Sequence, residues 1–249
     1  MICLETINLT HIFPNGTKAI ENISARFSGG EFVIIAGANG SGKTVFIRHL
    51  NGLLTPTRGE VLLDGEPITK NLTLARRKIG LIFQDSDSQF VGQTVAEDIA
   101  FGPENLNLPT VEVEKVVHET LKNVSLDDLS TQSPRTLSGG QKRKLAIGGV
   151  LAMKPNIIIF DEPFTGLDYL GVKQILQQLV DLHKMGHAII LVTHELEKVL
   201  ALADRLIIIH KGKLVEDDRP EDIIHLVEDY DIRMPLRNNE EIGLMTWLK

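Results

Sequence analysis

The chain has 249 residues, and its 43% hydrophobic and 24% charged content is typical of a globular protein with one large domain or two small ones. Its longest wholly apolar runs are far shorter than the roughly 20 residues that span a bilayer, and no secretory signal is visible. A net charge of −7 disfavours a dedicated nucleic-acid binder. The single cysteine, Cys3, excludes an internal disulfide, so a cytoplasmic location is expected.

Short β-rich runs open the chain. Apolar and polar residues mix over residues 2–27 around a Pro-Asn-Gly break at 14–16, and the pattern resumes at 60–63 before an Asp-Gly turn. These runs predict the strands of an antiparallel layer.

Residues 32–54 are the most informative stretch of the chain. Five consecutive apolar residues, 32–36, predict a strand buried on both faces, and apolar residues at helical spacing from Phe46 to Leu54 predict a helix. Between the two stands G-x-x-x-x-G-K-T, the pattern of a phosphate-binding loop. The residues expected to bind nucleotide there are Gly37, Ala38, Asn39, Gly40, Ser41, Gly42, Lys43 and Thr44.

Each residue type in this loop has a physical reason. Glycine lets the backbone turn sharply and approach phosphate oxygens, while the following helix adds free N–H groups and the positive end of its dipole. Lys43 supplies a mobile positive charge for the terminal phosphates, and the Thr44 hydroxyl is a ligand for Mg²⁺. The alternative is a glycine-rich turn followed by Lys-Thr by chance, which the flanking strand and helix disfavour. The loop therefore predicts binding of a nucleoside triphosphate.

A helical segment follows the next predicted strand, which covers residues 79–83 and ends at Gln84. Helical spacing dominates residues 94–153, with helices predicted at 111–124 and 139–153, and we interpret this segment as an inserted subdomain. Two short basic clusters, 76–78 and 142–144, are interpreted as solvated helix faces.

From residue 156 onward, buried strands alternate with helices, which predicts a parallel α/β core. Strands are predicted at 157–160, 188–192 and 206–210, and helices at 172–183, 196–203 and, in an acidic tail, 220–227. The predicted organisation is a core formed by residues 1–93 and 154–216, the helical subdomain 94–153, and an extension at 217–249.

Two acids, Asp161 and Glu162, follow the predicted strand 157–160, at the end of a strand where the ligands of α/β sheets bind. Mg²⁺ prefers oxygen ligands, so Asp161 is suited to hold it directly or through water. Glu162 is then free to polarise a water molecule for attack on the γ-phosphate. The alternative is a pair of strand-end carboxylates that only cap a turn, which the preceding phosphate-binding loop disfavours.

A second candidate anion site lies at residues 137–141, where a helix is predicted to begin. Ser138, Gly139, Gly140 and Gln141 offer a hydroxyl, close-approach glycines and free amides, although the same residues could form only a helix cap. The run Leu-Ser-Gly-Gly-Gln resembles the signature motif of ATP-binding-cassette ATPases. The other motifs of that family occur in this chain in the same order.

This resemblance extends to about residue 216 and implies a fold, ligands and further site residues. The implied fold is an α/β P-loop nucleoside triphosphatase with a parallel-sheet core, an antiparallel β layer and an inserted helical subdomain, and the implied ligands are ATP and Mg²⁺. Gln84 is similar to the glutamine that contacts Mg²⁺ and the attacking water, and His194 to the switch histidine at the γ-phosphate. Phe13 lies where the family places an aromatic residue that stacks on adenine, with His11 as the alternative.

Family members pair head to tail, so that the signature of one cassette covers ATP in the phosphate-binding loop of the other. This chain carries one copy of each motif, which implies a second ATPase subunit, either a copy of itself or a similar chain. The run Gly-Leu-Asp at 166–168 resembles the loop that faces this partner. The implied catalytic residues are Lys43, Gln84, Glu162 and His194.

Residues 84–106 resemble more narrowly the ATPase subunits of energy-coupling factor transporters, which import cobalt, nickel, biotin and other vitamins. There the region forms a groove for an integral membrane scaffold subunit, and a separate substrate-binding membrane subunit selects the solute. The resemblance implies a peripheral location at the cytoplasmic face of the membrane. Four acids predict an acidic groove that suits basic partner residues, the alternative being an ordinary solvated surface: Asp85, Asp87, Glu97 and Asp98.

Four residues at three places depart from the family pattern. Phe164-Thr165 stands where Thr-Ala or Ser-Ala is common, Tyr169 where proline is frequent, and Lys144 where arginine is usual. Because none of these positions touches phosphate, metal or water in the family, the departures leave hydrolysis intact and could alter which partner is accepted.

Other functions stay open at this point. One is the ATPase of a binding-protein-dependent importer, which shares every catalytic motif. Another is a soluble cassette ATPase acting on nucleic acid or ribosomes, which the acidic charge and the absence of long coiled-coil insertions disfavour. The third is a nucleotide-binding regulator without turnover, which Glu162 and His194 disfavour.

Overall fold

The computed structural model describes residues 2–235 and 242–248 of the chain. Its strands are β1 (Cys3–Ile12), β2 (Lys18–Ser28), β3 (Phe32–Ala36), β4 (Arg58–Leu63), β5 (Glu66–Pro67), β6 (Ile79–Ile82), β7 (Ile157–Asp161), β8 (Ala188–Val192), β9 (Arg205–His210) and β10 (Lys213–Asp218). Its α-helices are α1 (Lys43–Leu50), α2 (Leu72–Lys78), α3 (Val95–Asn105), α4 (Thr110–Asn123), α5 (Gly139–Leu151), α6 (Tyr169–Lys184) and α7 (Pro220–Ile223).

A mostly parallel sheet forms the centre of the molecule, with strand order β10-β9-β3-β8-β7-β6. The strands β3, β7 and β8 are buried along their whole length because both faces of the sheet are covered. Alternate side chains serve the two faces: Ile34 and Ile158 pack with α6 on one side, and Val33 and Ile159 pack with α1 and the second sheet on the other. The prediction of a parallel α/β core is confirmed.

The second sheet is antiparallel, with order β2-β1-β4-β5, and it covers one face of the first. Leu4 pairs with Phe27 on one side and with Leu63 on the other, and all three are buried. This is the antiparallel layer predicted from residues 2–27 and 60–63.

Three helices between β6 and β7 pack around a small apolar cluster of their own. Helix α3 begins with a capping box formed by Thr94 and Glu97, and α5 begins with another formed by Ser138 and Gln141. The division of the chain at residues 94 and 153 stays a prediction, as does the extension at 217–249. Met1, residues 236–241 and Lys249 lie outside the described residues. Among the described helices, none combines the length and the apolar character needed to cross a membrane.

Several predicted helices are shorter in the structure. Helix α1 ends at Leu50 rather than Leu54, because Gly52 takes a positive φ of 72° and the chain turns back on Arg48. The predicted helix at 196–203 is two 3₁₀ turns, Leu196–Lys198 and Leu200–Leu202, separated by Val199, whose φ of −142° is not helical. The prediction at 220–227 is also only partly right: α7 stops at Ile223 and continues as a 3₁₀ helix, Ile224–Tyr230.

Residues 213–218 form the edge strand β10, for which no strand was predicted; an edge exposes its charged side chains to solvent at little cost. One interpretation of a charged segment needs correction. The basic cluster 142–144 is not a solvated face throughout: Arg143 is only 5% exposed and lies against the end of β6.

Candidate functional site

Three adjacent strands bring the predicted site residues to one edge of the central sheet. The order β3-β8-β7 places the phosphate-binding loop after β3, His194 shortly after β8, and the acids at the end of β7 side by side. Carboxyl ends of parallel strands meet at the same edge, where ligands of open α/β sheets bind. Residues as distant in the chain as Lys43, Glu162 and His194 thereby share one cavity.

The phosphate-binding loop has no room for side chains at two of its glycines. A Cβ on Gly42, whose φ is 106°, would lie 2.7 Å from the Ala19 carbonyl oxygen, and one on Gly37 would lie 2.3 Å from the Ile209 carbonyl oxygen. Only glycine therefore allows the loop to close over its neighbours. The Oγ of Ser41, buried in this loop, has no hydrogen-bond partner among the described residues. A buried polar atom without a partner indicates that a ligand belongs here.

Lys43 is held inside the loop. Its Nζ donates to the carbonyl oxygens of Gly37 (2.7 Å) and Ala38 (3.1 Å), and it lies 3.9 Å from Glu162 Oε1. Burial lowers the pKa of Lys43, and the nearby carboxylates of Glu162 and Asp161 oppose that shift.

Thr44 and Asp161 meet beside the lysine. The Thr44 hydroxyl donates to Asp161 Oδ1 over 3.3 Å. Burial raises the pKa of Asp161, and the hydrogen bond from Thr44 lowers it. The Thr44 hydroxyl and the Asp161 carboxylate together offer two oxygen ligands. A cation bound by them would stabilise the charged form of the Asp161 carboxylate.

Glu162 and His194 are in direct polar contact in the cavity. His194 Nδ1 lies 3.0 Å from both carboxylate oxygens of Glu162. The backbone of Glu162 has a φ of 46°, in the left-handed region, and its N–H donates to the carbonyl oxygen of Val192 in β8. This strained turn aims the side chain into the cavity, as is common at functional sites.

The cavity measures about 770 Å³. Gln84, Glu162, His194 and Phe13 all line it. The loop residues that line it are Asn39, Gly40, Ser41, Gly42, Lys43 and Thr44, whereas Gly37 and Ala38 contribute only their carbonyl groups to Lys43.

Phe13 and His11 have different surroundings, which distinguishes the two candidates for stacking on adenine. The Phe13 ring is 37% exposed at the cavity and packs edge-on against His11, with ring centroids 4.9 Å apart. His11 lies outside the lining and instead bonds to the buried His49, with 3.1 Å between Nδ1 and Nε2. The structure therefore brings Phe13 to the cavity and uses His11 to support it.

A smaller cavity of about 380 Å³ adjoins the first. Thr44 and Gln84 line both cavities, and Asp161 lines the smaller one. The three residues predicted to bind metal thus face one region. In the parts of the chain that the structure describes, no group of three or more His, Cys, Asp or Glu side chains could hold a metal ion on its own.

Sequence reasoning missed Arg143 as a residue of the site. Its guanidinium donates to the carbonyl oxygens of Phe83 (3.4 Å) and Gln84 (3.3 Å) and so holds the backbone that presents Gln84. Burial lowers the pKa of Arg143, and Asp85 opposes that shift. The sequence carries no signal for this role, because Arg143 stands in a basic run with Lys142 and Lys144 and lies three residues after the exposed Gly140, on what helical spacing makes the same face.

The signature residues lie away from this cavity. Ser138 Oγ accepts from the Gln141 N–H (3.4 Å), and Gln141 Oε1 accepts from the Ser138 N–H (2.8 Å). Gly139 and Gly140 are exposed, and a Cβ on either would meet no atom within 4 Å. The helix cap that was the alternative interpretation of these residues is present. The open space over the two glycines also leaves room for a ligand.

The acidic groove expected around residues 84–106 is wrong for Asp98, which is buried and accepts from the N–H groups of Val91 and Gly92. Asp85, Asp87 and Glu97 are exposed as expected, with Asp87 paired to Lys142 and Glu97 capping helix α3. The same region also holds a largely apolar depression of about 570 Å³, whose lining includes Arg76 and Arg77.

Comparison with known proteins agrees with this geometry. A family model described as ABC transporter matches residues 20–165. The energy-coupling factor transporter ATP-binding protein EcfA of Methanocaldococcus jannaschii is 42% identical over 241 residues, which cover 94% of this chain and 86% of the relative. EcfA2 of Clostridium tetani, with the same description, is 42% identical over 231 residues, covering 89% of this chain and 80% of the relative.

A solved structure gives the same result for the fold. CbiO1 from Clostridium perfringens, described as part of the ABC transporter complex cbiONQ, superimposes with a TM-score of 0.79 at 34% identity. The match covers 93% of this chain and 95% of that protein.

Proposed function

This chain belongs to the ABC transporter family, and we propose that it is the ATP-hydrolysing subunit of a membrane importer of the energy-coupling factor type. The observation that carries the enzymatic part is the meeting of Lys43, Thr44, Glu162 and His194 at one cavity, with Asp161 bonded to Thr44 in the adjoining one. The names of the relatives, which are ATP-binding subunits of energy-coupling factor transporters, support the transport part.

ATP would lie along the larger cavity, with its adenine against Phe13 and its phosphates in the loop. Lys43 Nζ now bonds to two loop carbonyls, and it would exchange one of these for a phosphate oxygen. The unpartnered Ser41 hydroxyl and the exposed amides of the loop supply further donors. These features fit a triphosphate better than a neutral ligand.

Mg²⁺ fits the donor set of the adjoining cavity. Thr44, Gln84 and Asp161 offer the oxygen ligands that this cation prefers, and phosphate oxygens would complete them. Bound there, Mg²⁺ would neutralise charge on the phosphates. Because phosphate oxygens would supply part of the coordination, the protein needs to contribute few carboxylate ligands of its own.

Glu162 is the general base of the proposed reaction. Its carboxylate would accept a proton from the water that attacks the γ-phosphate, while His194 Nδ1 holds the carboxylate in place. Lys43, 3.9 Å from the same carboxylate, would stabilise the charge that develops on the phosphoryl group. The protein thus orients the water and the γ-phosphate with side chains that are already in position.

A second ATPase subunit completes the site in this proposal. The exposed Ser138, Gly139 and Gly140 would close over ATP held by the partner's loop, since they line no part of their own chain's described cavity. Closing around ATP and reopening after hydrolysis would transmit force to the membrane subunits.

The apolar depression between α2, α3 and α5 is the proposed contact with an integral membrane scaffold subunit. Leu53, Val91 and Phe101 line it with 43%, 58% and 50% of their surfaces exposed, which is unusual for large apolar side chains without a partner. An amphipathic helix suits such a groove. The chain would then sit at the cytoplasmic face of the membrane, with a substrate-binding membrane subunit in the same assembly.

Glu162→Gln tests the assignment. Loss of the base should lower kcat about 100-fold or more, while the amide keeps its shape and ATP affinity stays within about twofold. ATP hydrolysis and equilibrium nucleotide binding measure the two quantities. Glu119→Gln, an exposed acid on α4, is the matched control. Normal turnover by Glu162→Gln would remove Glu162 as the base.

The same variant tests the transport part. Tagged Glu162→Gln, extracted from membranes in mild detergent with ATP, should retain a small integral membrane scaffold and a substrate-binding membrane protein, identified by mass spectrometry. Retention of ribosomal proteins or repair factors without any membrane protein would overturn the importer and leave the ATPase standing.

A further inference from the structure

The C-terminal segment 242–248 is bonded to the loop that follows His194. The N–H of Ala201 donates to the Met245 carbonyl oxygen (3.1 Å), and the N–H of Trp247 donates to the Lys198 carbonyl oxygen (3.3 Å). Met245 is buried in the apolar core that also holds α6. These contacts attach the end of the described chain to the 3₁₀ turns after β8.

Lys198 is the centre of this contact. It is 7% exposed, and its ammonium lies between two rings, 4.8 Å from the centroid of Trp247 and 5.6 Å from that of Phe164. Its ion-pair partner is the carboxylate of Glu195. A buried cation is stable only when such partners replace its water, and cation–π contacts are strongest when desolvated.

Each partner of Lys198 stands next to a residue of the hydrolysis site. Phe164 comes two residues after Glu162, and Glu195 comes directly after His194. Lys198 therefore joins the two segments whose side chains meet in the 3.0 Å contact between His194 and Glu162. The ring of Trp247 lies against the Lys198 ammonium.

Trp247 also contacts the start of helix α6. Its ring packs on Tyr169, with centroids 5.4 Å apart, and Tyr169 directly follows Asp168 at the start of α6. Phe164 and Tyr169 are two of the positions at which the sequence departs from the family pattern. Both departures place an aromatic ring where it contacts Lys198 or Trp247.

We propose that Lys198 and Trp247 are positioning residues for hydrolysis, through which the C-terminal segment holds His194 against Glu162. This inference rests on the proposed function, since it assumes that Glu162 is the base. Loss of the Trp247 ring or of the Lys198 charge lets the loops after β7 and β8 move apart. Nucleotide binding should be unaffected, because the contacts seen for Lys198 and Trp247 in the described residues include neither the phosphate-binding loop nor Phe13.

Steady-state kinetics of full-length variants test the proposal. Trp247→Ala and Lys198→Met should each lower kcat about tenfold, which corresponds to ~1.4 kcal/mol, with KM for ATP unchanged. Trp247→Phe and Lys198→Arg, which keep a ring and a cation, should recover most of the rate. Tyr230→Phe is the matched control. It removes the hydrogen bond from Tyr230 to Glu216, leaves the partners of Lys198 in place and should not change kcat.

Intrinsic fluorescence reports the contact directly, because Trp247 is the one tryptophan of the chain. Lys198→Met should shift its emission in the ATP-free protein, and ATP binding should change the emission of the unaltered protein as the site tightens. A structural role alone would lower the unfolding midpoint and the fraction of chains that bind ATP, without lowering kcat per bound ATP.

The outcomes separate the two proposals. Unchanged kcat in Trp247→Ala and Lys198→Met, together with a stalled Glu162→Gln, overturns the positioning role alone. Normal turnover in Glu162→Gln overturns the proposed base and this inference with it. Equal losses in Lys198→Met and Lys198→Arg would also overturn the role assigned to the charge.

Discussion

At Asp98 one carboxylate oxygen accepts two backbone hydrogen bonds, from the N–H groups of Val91 (2.7 Å) and Gly92 (2.9 Å). The side chain is buried beneath the apolar depression, and burial raises its pKa above the ordinary 3.8 although the two donors oppose the shift. Its role is to shape the backbone that carries Val91, rather than to meet a basic partner.

The raised pKa of Asp98 predicts a pH dependence of stability. The native state binds this proton more tightly than the unfolded state, so the free energy of unfolding falls as pH rises from about 3.8 through the native pKa. Asp98→Asn keeps an acceptor but carries no charge, so its stability relative to the unaltered protein should increase over that range. Urea unfolding from pH 4 to pH 8 measures the difference.

Asp98→Ala serves as the contrasting variant, since it leaves both N–H groups unpaired. It should be about 1–3 kcal/mol less stable than Asp98→Asn at every pH, because neither variant carries the titrating carboxyl. A difference between Asp98→Asn and the unaltered protein that does not change with pH would contradict the assigned titration.

At the level of elements, helix α5 and strand β6 are joined by Arg143. The guanidinium bonds to two consecutive carbonyl groups, of Phe83 and Gln84, at the point where the chain leaves β6 for the smaller cavity. The start of α5 thereby supports both the signature at its N-terminus and the backbone of Gln84. One side chain links the two regions that the family uses at opposite sides of a nucleotide.

Replacing Arg143 should show this link. Arg143→Met keeps the apolar stem but leaves the two carbonyls without a donor, so we expect a loss of about 1–3 kcal/mol in unfolding free energy and a lower kcat. Arg143→Lys should recover only part of the lost stability and kcat, because an ammonium group cannot reproduce the planar fork of donors of a guanidinium. Urea unfolding and ATPase assays compare them with Arg135→Met, an exposed arginine just before α5. Stability equal to that control would remove the supporting role.

At the scale of the whole molecule, the signature and the phosphate-binding loop lie on different parts of the surface. Ser138 bonds within its own helix cap, and the cavity at Lys43 is lined without it. Two chains arranged head to tail would join each signature to the other chain's loop, with twofold symmetry if the chains are identical.

Complementation tests this arrangement. Lys43→Ala should lose ATP binding and Ser138→Arg should block the signature, so each variant alone is inactive. In an equal mixture, half of the dimers hold one complete site, and activity should rise to about a quarter of that of the unaltered protein. ATPase activity is measured before and after mixing at fixed total concentration. Activity that stays at the level of the separate variants would contradict pairing of this chain with itself.

Local patterns in the sequence predicted the fold class and the residues of the cavity. Continuous apolar runs at 32–36 and 157–160, and glycines that the loop requires, are signals within a few neighbouring residues. Because the ends of parallel strands converge on one edge, these separate motifs also implied a common site. Phe13, Glu162 and His194 all lie at the cavity where the motifs placed them; their chemical roles stay predictions.

Tertiary structure alone decided which charged residues are buried and which loops are joined. Arg143 meets carbonyls 59 and 60 positions away, and Lys198 meets Trp247 across a segment that includes undescribed residues. Such contacts produce no periodic pattern in the sequence, because the burial of a charged side chain depends on which other elements of the fold pack against it. The sequence by itself thus determined the phosphate-binding machinery, whereas packing decided the supports of Gln84, of Val91 and of the contact between His194 and Glu162.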